Sequence, residues 1–370
     1  MHLEKGENRQ LIMSKKRRVH QFLSGFTYGD AISDYAIEIQ HIFRSKGYES
    51  EIYCEYMDAR LKGGCKKFAY YLDDKEDTDI AILHYSIGSS IVPFVYEEAP
   101  NVVIIYHNIT PHYYFAEINP YLYKECLAGR KWLGLFRDKA VVAIADSEYN
   151  RKELVELGFN NTRVLPIKID FRKFDKDYSF LLADKYRDKR SNLLFIGRII
   201  PNKKVEHVIM TYYAYKRYFN NLSRLFIVGG YIGYERYYYG LRKLIEGLKL
   251  KDVIFTGHIS ATFLSAILRV ADVFIMLSEH EGFCVPLLEA MYRGVVVVGL
   301  ERGAIPYTMR GGGILVKRKD FLHIAALIDE VMNDRKLRDA IIEEQMEVIR
   351  MYKEYDFEGE LFYCLKGLIW

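Results

Sequence analysis

Two acids, Glu281 and Glu289, stand seven residues apart within SEHEGFCVPLLEAM, residues 278–291. A run of strand length, ADVFIML, precedes them, and a helix ending near Gly294 follows. Pro286 suits the first helical position, where a missing N–H is no loss. Glu289 then falls in the first helical turn, among free backbone N–H groups and at the positive end of the dipole. Such a corner can hold a diphosphate on main-chain amides while its carboxylates accept hydrogen bonds from hydroxyls. A nucleotide sugar offers both kinds of group. Helix starts also carry Glu for capping alone. That accounts for Glu289, but not for His280 and Glu281 in a loop with Gly282, Phe283 and Pro286.

Other strand ends carry chemistry of the same kind. FIGRIIPNKKVEHVI follows an apolar run directly and sets Arg198 and Lys203 around Pro201. Two cations flanking a turn could neutralise a diphosphate leaving group without a metal; a solvated basic turn is the commoner fate of such residues. SGFTYGDAISD places Gly25 and Gly29 between the first strand and first helix without the full G-x-G-x-x-G spacing, and Asp30 or Ser33 can serve there as a cap. LHYS and IIYHNITPHYY put His84, His107 and His112 at or after strand ends, where each could hydrogen-bond a sugar hydroxyl or a reacting oxygen. Metal ligation fits less well, because no carboxylate or cysteine sits nearby at ligand spacing. The D-x-D at Asp77–Asp79 lies in the acidic stretch DDKEDTD and reads as a solvated turn, with no manganese site.

These residues need a frame that brings strand ends together. Short β-rich runs alternate with helical patterns along the whole chain, the signature of parallel α/β architecture. The runs are 19–23, 51–55, 80–84, 102–106, 141–145 and 163–165, then 193–196, 225–228, 253–256, 273–277, 295–299 and 314–316. They are almost continuously apolar, as strands covered on both faces must be. A charged stretch, 175–191, separates the halves. The expected layout is a leader at 1–18, with Met13 an alternative start, and Rossmann-like domains at 19–188 and 189–352. A terminal helix at 353–370 is expected to return to the first domain. Ligands of two doubly wound domains belong in a cleft facing the strand C-termini.

Composition narrows the function classes. At 370 residues the chain exceeds what one growing core supports, so two domains are natural. A formal charge of +4 is too mild to argue for nucleic acid. The five cysteines are scattered and odd in number, which favours free thiols in a reducing compartment over disulfides or zinc. No apolar run reaches membrane-spanning length and the N-terminus has no signal-peptide core, so a cytoplasmic protein is expected. Residues 120–139 mix Lys124, Arg130, Lys131, Arg137 and Lys139 with Trp132, Leu133, Leu135 and Phe136. That is either a basic amphipathic helix able to lie on the inner membrane surface or an ordinary packed helix with a solvated basic face.

Taken together and in order, the motifs resemble the retaining glycosyltransferases of family four, which have the GT-B fold. SEHEGFCVPLLEAM is similar to their E-x7-E signature, FIGRIIPNKK to their GR-x-x-x-x-K loop, and IFTGHIS to the segment beside the nucleobase. IADSEYNRKEL followed by LP is similar to the usual end of their first domain. The resemblance implies that Arg198 and Lys203 contact the donor diphosphate, that Glu281, Gly282 and Phe283 hold the donor sugar, and that Glu289 accepts from the ribose. It places His258 and Ile259 beside the base, His107 near the transferred sugar, and Gly29 near the phosphates across the cleft. Val285, Leu287 and Leu288 complete the donor side, while Asp30, His84, Asn108 and Ser147 are assigned to the acceptor side. Lys204 and Cys284 depart from the family by standing where glycine is usual. The implied activity is retaining, metal-independent transfer of a hexose from GDP-mannose or a UDP-sugar to a hydroxyl of a glycan, a lipid-linked acceptor or a small molecule, with no further cofactor. A GT-B-like epimerase or phosphorylase, or a non-catalytic nucleotide-sugar-binding protein, is the alternative.

Overall fold

A computed structural model describes residues 17–61, 63–175 and 178–369. The leader expected before residue 17, with Met13, lies outside them.

The first domain carries β1 (Val19–Phe26), β2 (Ile52–Met57), β3 (Lys66–Lys67), β4 (Ile80–Tyr85), β5 (Asn101–Tyr106), β6 (Ala140–Ala145) and β7 (Thr162–Val164). They form a parallel seven-stranded sheet in the order β3-β2-β1-β4-β5-β6-β7. The second carries β8 (Ser191–Ile196), β9 (Ser223–Val228), β10 (Val253–Gly257), β11 (Val273–Met276), β12 (Val296–Leu300) and β13 (Ile314–Val316). Their order is β10-β9-β8-β11-β12-β13, again all parallel. This is the GT-B architecture, two doubly wound α/β domains. Central strands such as β4, β8 and β9 are buried at every position, which explains why they are mostly apolar.

Strand order reverses between β1 and β4 in one sheet and between β8 and β11 in the other. A crevice opens at the strand C-termini at each such reversal, because the flanking helices leave on opposite faces. The loops after β1, β4 and β5 therefore meet the loops after β8 and β11. After the long helix Arg335–Glu354, the helix Phe357–Cys364 lies against the first domain. Phe357 stands edge-on to Tyr35 with ring centres 5.6 Å apart, and Glu358 pairs with Lys46 at 2.5 Å.

Two local expectations need correction. β3 is an edge strand of two lysines, too short and too polar to show as an apolar run. Asp79 is no solvated turn residue: it is fully buried, its carboxylate lies 3.4 Å from Arg18 Nε, and it accepts from the Glu76 amide at 3.0 Å. Burial of a carboxylate is tolerated when a cation and a backbone donor answer it. The acidic run DDKEDTD thus anchors the start of β1 through Arg18, which also meets Asp74 at 3.0 Å and Glu76 at 3.2 Å.

Candidate active site

Lys203 ends a short 3-10 turn, Pro201–Lys203, just past β8. The turn is fastened to the loop after β11 by Asn202, whose side-chain amide donates to the His280 carbonyl at 3.1 Å and whose own carbonyl accepts from Glu279 N at 2.9 Å. That clamp sets Lys203 Nζ 2.6 Å from each carboxylate oxygen of Glu281. Both side chains are largely buried, 15% and 6% exposed. Lys204 closes the turn with φ 51 and ψ 47, the left-handed conformation that glycine takes most easily. Cys284 does the same at the start of the helix Val285–Tyr292, with φ 76 and ψ 63.

That helix start shifts the register read from sequence. Val285 is the first helical residue and Pro286 the second, so Glu289 lies beyond the first turn, which holds no acid. Glu289 is half-buried, and its carboxylate accepts no hydrogen bond from any described residue. Burial pushes it up to about 7, with Lys173 pulling the other way. Arg198 is exposed and makes no ion pair among the described residues. Burial raises the Cys284 thiol above the usual thiol range, with Glu281 pushing the same way and Lys203 opposing. Leu287 and Leu288 are core residues at 0% exposure and offer no side chain to a ligand; Val285 is half-buried.

The first domain meets this loop directly. A Cβ at Gly282 would lie 2.4 Å from the His107 carbonyl oxygen, so the two loops pack at a distance only glycine permits. Ser147 Oγ donates to the Gly282 carbonyl at 2.8 Å, and the Phe283 carbonyl accepts from Thr308. Gly29, at φ 73, faces the exposed His258 across the domains, with Ile259 half-buried beside it.

His107 belongs to a buried hydrogen-bond chain. Gln21 Nε2 donates to the Ala36 carbonyl at 2.9 Å, which leaves Gln21 Oε1 to accept from His84 Nε2 at 2.9 Å. His84, held well below the usual histidine range by burial and by His107, is neutral and accepts at Nδ1 from His107 Nε2 at 2.9 Å. His107 Nδ1 then lies 2.7 Å from Asp146 Oδ2. Burial raises the Asp146 carboxyl while His107 lowers it, and Asp146 Oδ1 is buried without a partner.

The remaining acceptor-side residues also have partners within the chain. Asp30 caps the helix Ala31–Ser45 through Ser33 N at 3.1 Å. Asn108, at φ 75, donates to Asn150 at 2.8 Å and to Glu153 at 3.2 Å. Three contributors escaped the sequence reading: Asp146, Gln21 and Asn202. Asp146 was signalled by its place at the C-terminus of β6, in IADS, beside Ser147. In the helix Pro120–Phe136, Leu133 and Phe136 are buried and Trp132 packs on Tyr96 at 5.5 Å, while Tyr121 and Leu135 stay exposed. Among the described residues no helix is long and apolar enough to cross a membrane.

Residues 183–348 match the family described as "Glycosyl transferases group 1". The match spans most of the second domain, the stretch in which Arg198, Lys203, Glu281 and Glu289 lie. The chain is 27% identical over 210 residues to the serotype-specific mannosyltransferase WbdA of Escherichia coli, a match over 54% of this chain and 25% of that protein. It is 32% identical over 116 residues to a GDP-mannose-dependent alpha-mannosyltransferase of Mycolicibacterium smegmatis, over 31% of this chain and 27% of that one. The matched stretch is therefore about a quarter of the length of each of these relatives. In fold, the Anabaena HepE structure in complex with UDP and glucose superposes with a TM-score of 0.74 at 14% identity, covering 95% of this chain and 100% of that one.

Proposed function

We propose that this chain is a retaining, metal-independent glycosyltransferase that moves a hexose from a nucleotide-diphosphate sugar to a hydroxyl acceptor, with GDP-mannose as its donor. One observation carries the reading. Past the ends of β8 and β11, where the second sheet reverses its strand order, a largely buried Lys203–Glu281 pair stands on the loop whose Gly282 packs on the His107 carbonyl of the first domain. The relatives named as mannosyltransferases support the choice of sugar, and the one named as GDP-mannose-dependent supports the base.

The chemistry follows from charge. Cleaving the sugar–phosphate bond builds negative charge on the departing diphosphate and positive charge at the anomeric carbon. Arg198, exposed and without an ion pair among the described residues, is free to take the diphosphate, and Lys203 is its second cation. A charged diphosphate competes with a single carboxylate for Lys203, so donor binding releases Glu281 to accept hydrogen bonds from sugar hydroxyls. Glu289, with no partner of its own, takes the ribose. Cations already in place need no reorganisation as charge develops, which is where most of the rate gain lies. The reading is of attack on the same face of the sugar, where the leaving phosphate takes the acceptor proton.

A panel of GDP-, UDP- and ADP-sugars tests this by thermal shift and then by release of the nucleoside diphosphate. GDP-mannose is expected to give the largest shift and the fastest release. Consumption of donor that yields only an epimer, or that requires free phosphate, would move the chain to a different reaction class.

A further inference from the structure

Each side chain first assigned to the acceptor is already engaged inside the chain: Asp30 as a cap, His84 between Gln21 and His107, Asn108 with Asn150, and Ser147 with Gly282. A different space is open. A cavity of about 570 Å³ lies between the domains, within the range of about 300–1,000 Å³ usual for small-ligand sites. Tyr113, Tyr149 and Glu156 line it from the first domain, and His280 lines it from the second. His280 directly precedes Glu281, so an occupant lies one residue from the Lys203–Glu281 pair.

The walls define the chemistry of the occupant. Tyr113 is 62% exposed and Tyr149 half-buried, and together they offer aromatic faces. The His280 ring sits edge-on to Tyr149 at 6.2 Å, makes no hydrogen bond with a described residue, and is held neutral, pushed down to about 3 by burial, Arg130 and Lys203. His112 Nδ1, on the same wall, is buried without a partner. Of the cations bordering the space, Arg130 holds Glu153 and the Ile109 carbonyl, while the exposed Lys152 meets the neutral Tyr307 hydroxyl at 3.0 Å. What remains is the His280 imidazole, two tyrosine faces and the unpaired Glu156. A sugar ring matches this, with its C–H face on tyrosine and its hydroxyls on imidazole and carboxylate. A phosphate matches it less well, since the lining sets three carboxylates, Glu153, Glu156 and Glu279, against two cations, Arg130 and Lys152.

Resting on the transferase reading above, the geometry points to this cavity as the acceptor site and to an uncharged sugar as the acceptor. The full chain is probed without donor by saturation-transfer NMR, using methyl α-D-mannopyranoside and mannose 6-phosphate. The neutral sugar is expected to bind and the phosphorylated one to bind more weakly. Tyr113→Ala, at an exposed position that the fold does not need, and Tyr149→Ala are each expected to weaken binding about tenfold, the loss of one aromatic contact of about 1.4 kcal/mol. Both variants are checked for folding by the thermal shift that GDP produces. Undiminished binding in both variants, or preference for mannose 6-phosphate, overturns the assignment. If the wild-type chain binds the sugar in this way yet releases no GDP from GDP-mannose, the transferase reading fails while the cavity remains a sugar site.

Discussion

The Lys203–Glu281 pair has two roles that substitution can separate. The pair is largely buried, so removing one partner leaves an uncompensated charge, which costs about 3–5 kcal/mol. Replacing both partners with apolar residues of similar size removes the stranded charge. Lys203→Met and Glu281→Met are therefore each expected to lower stability in urea, and the double variant to recover most of it. Transfer should fall by about 100-fold or more in all three, because each lacks a preorganised group facing the leaving diphosphate or the sugar. A double variant that recovers activity along with stability would reduce the pair to a structural tie. Glu289 gives a pH test. The folded state holds its proton up to about 7, well above the ordinary carboxylate range, so this group weakens the fold as pH rises from that range through 7. Ribose hydroxyls donate to the ionised form, so donor affinity should rise over the same interval. Calorimetry at pH 5.5 and 8 should show both slopes, and Glu289→Gln should flatten them.

At the scale of the elements, the two departures from family pattern acquire a physical meaning. Lys204 and Cys284 both occupy the left-handed region, so the turns that glycine usually makes are preserved with side chains present. Strain of this kind costs about 1–2 kcal/mol per residue. Lys204→Gly should accordingly be about 1 kcal/mol more stable than Lys204→Ala in denaturant, since both lose the contact with Tyr114 but only the alanine keeps the strain. Gly282 has the opposite requirement. Gly282→Ala would drive a methyl into the His107 carbonyl, at a cost of about 1–3 kcal/mol, and should separate the two catalytic loops. The loops themselves were legible from sequence because strand C-termini in doubly wound sheets face the crevice. Their internal pairings were not. That Glu281 meets Lys203, and His107 meets Asp146 and His84, depends on how loops from distant strands settle on one another, and no spacing along the chain encodes it. The same holds for Pro286, where a left-handed Cys284 lets the helix begin one residue earlier than the proline suggests.

For the molecule as a whole, the apolar runs announce every strand but β3, and their alternation with helices gives two parallel sheets. What the pattern leaves open is the joining of the domains. Phe357, 3% exposed, ties the end of the second domain to Tyr35 of the first. Phe357→Ala should cost about 3–5 kcal/mol, seen as a lower unfolding midpoint for the first domain. The acceptor cavity is likewise a product of assembly, with walls from two domains and no motif of its own. The most direct test of the central claim is ¹H NMR of the full chain with GDP-mannose and methyl α-D-mannopyranoside in the presence of EDTA. The account predicts GDP release with a new α-linked mannoside, undiminished by the chelator and lost in Lys203→Met. A β-linked product, or an unchanged donor across the whole nucleotide-sugar panel, would contradict it.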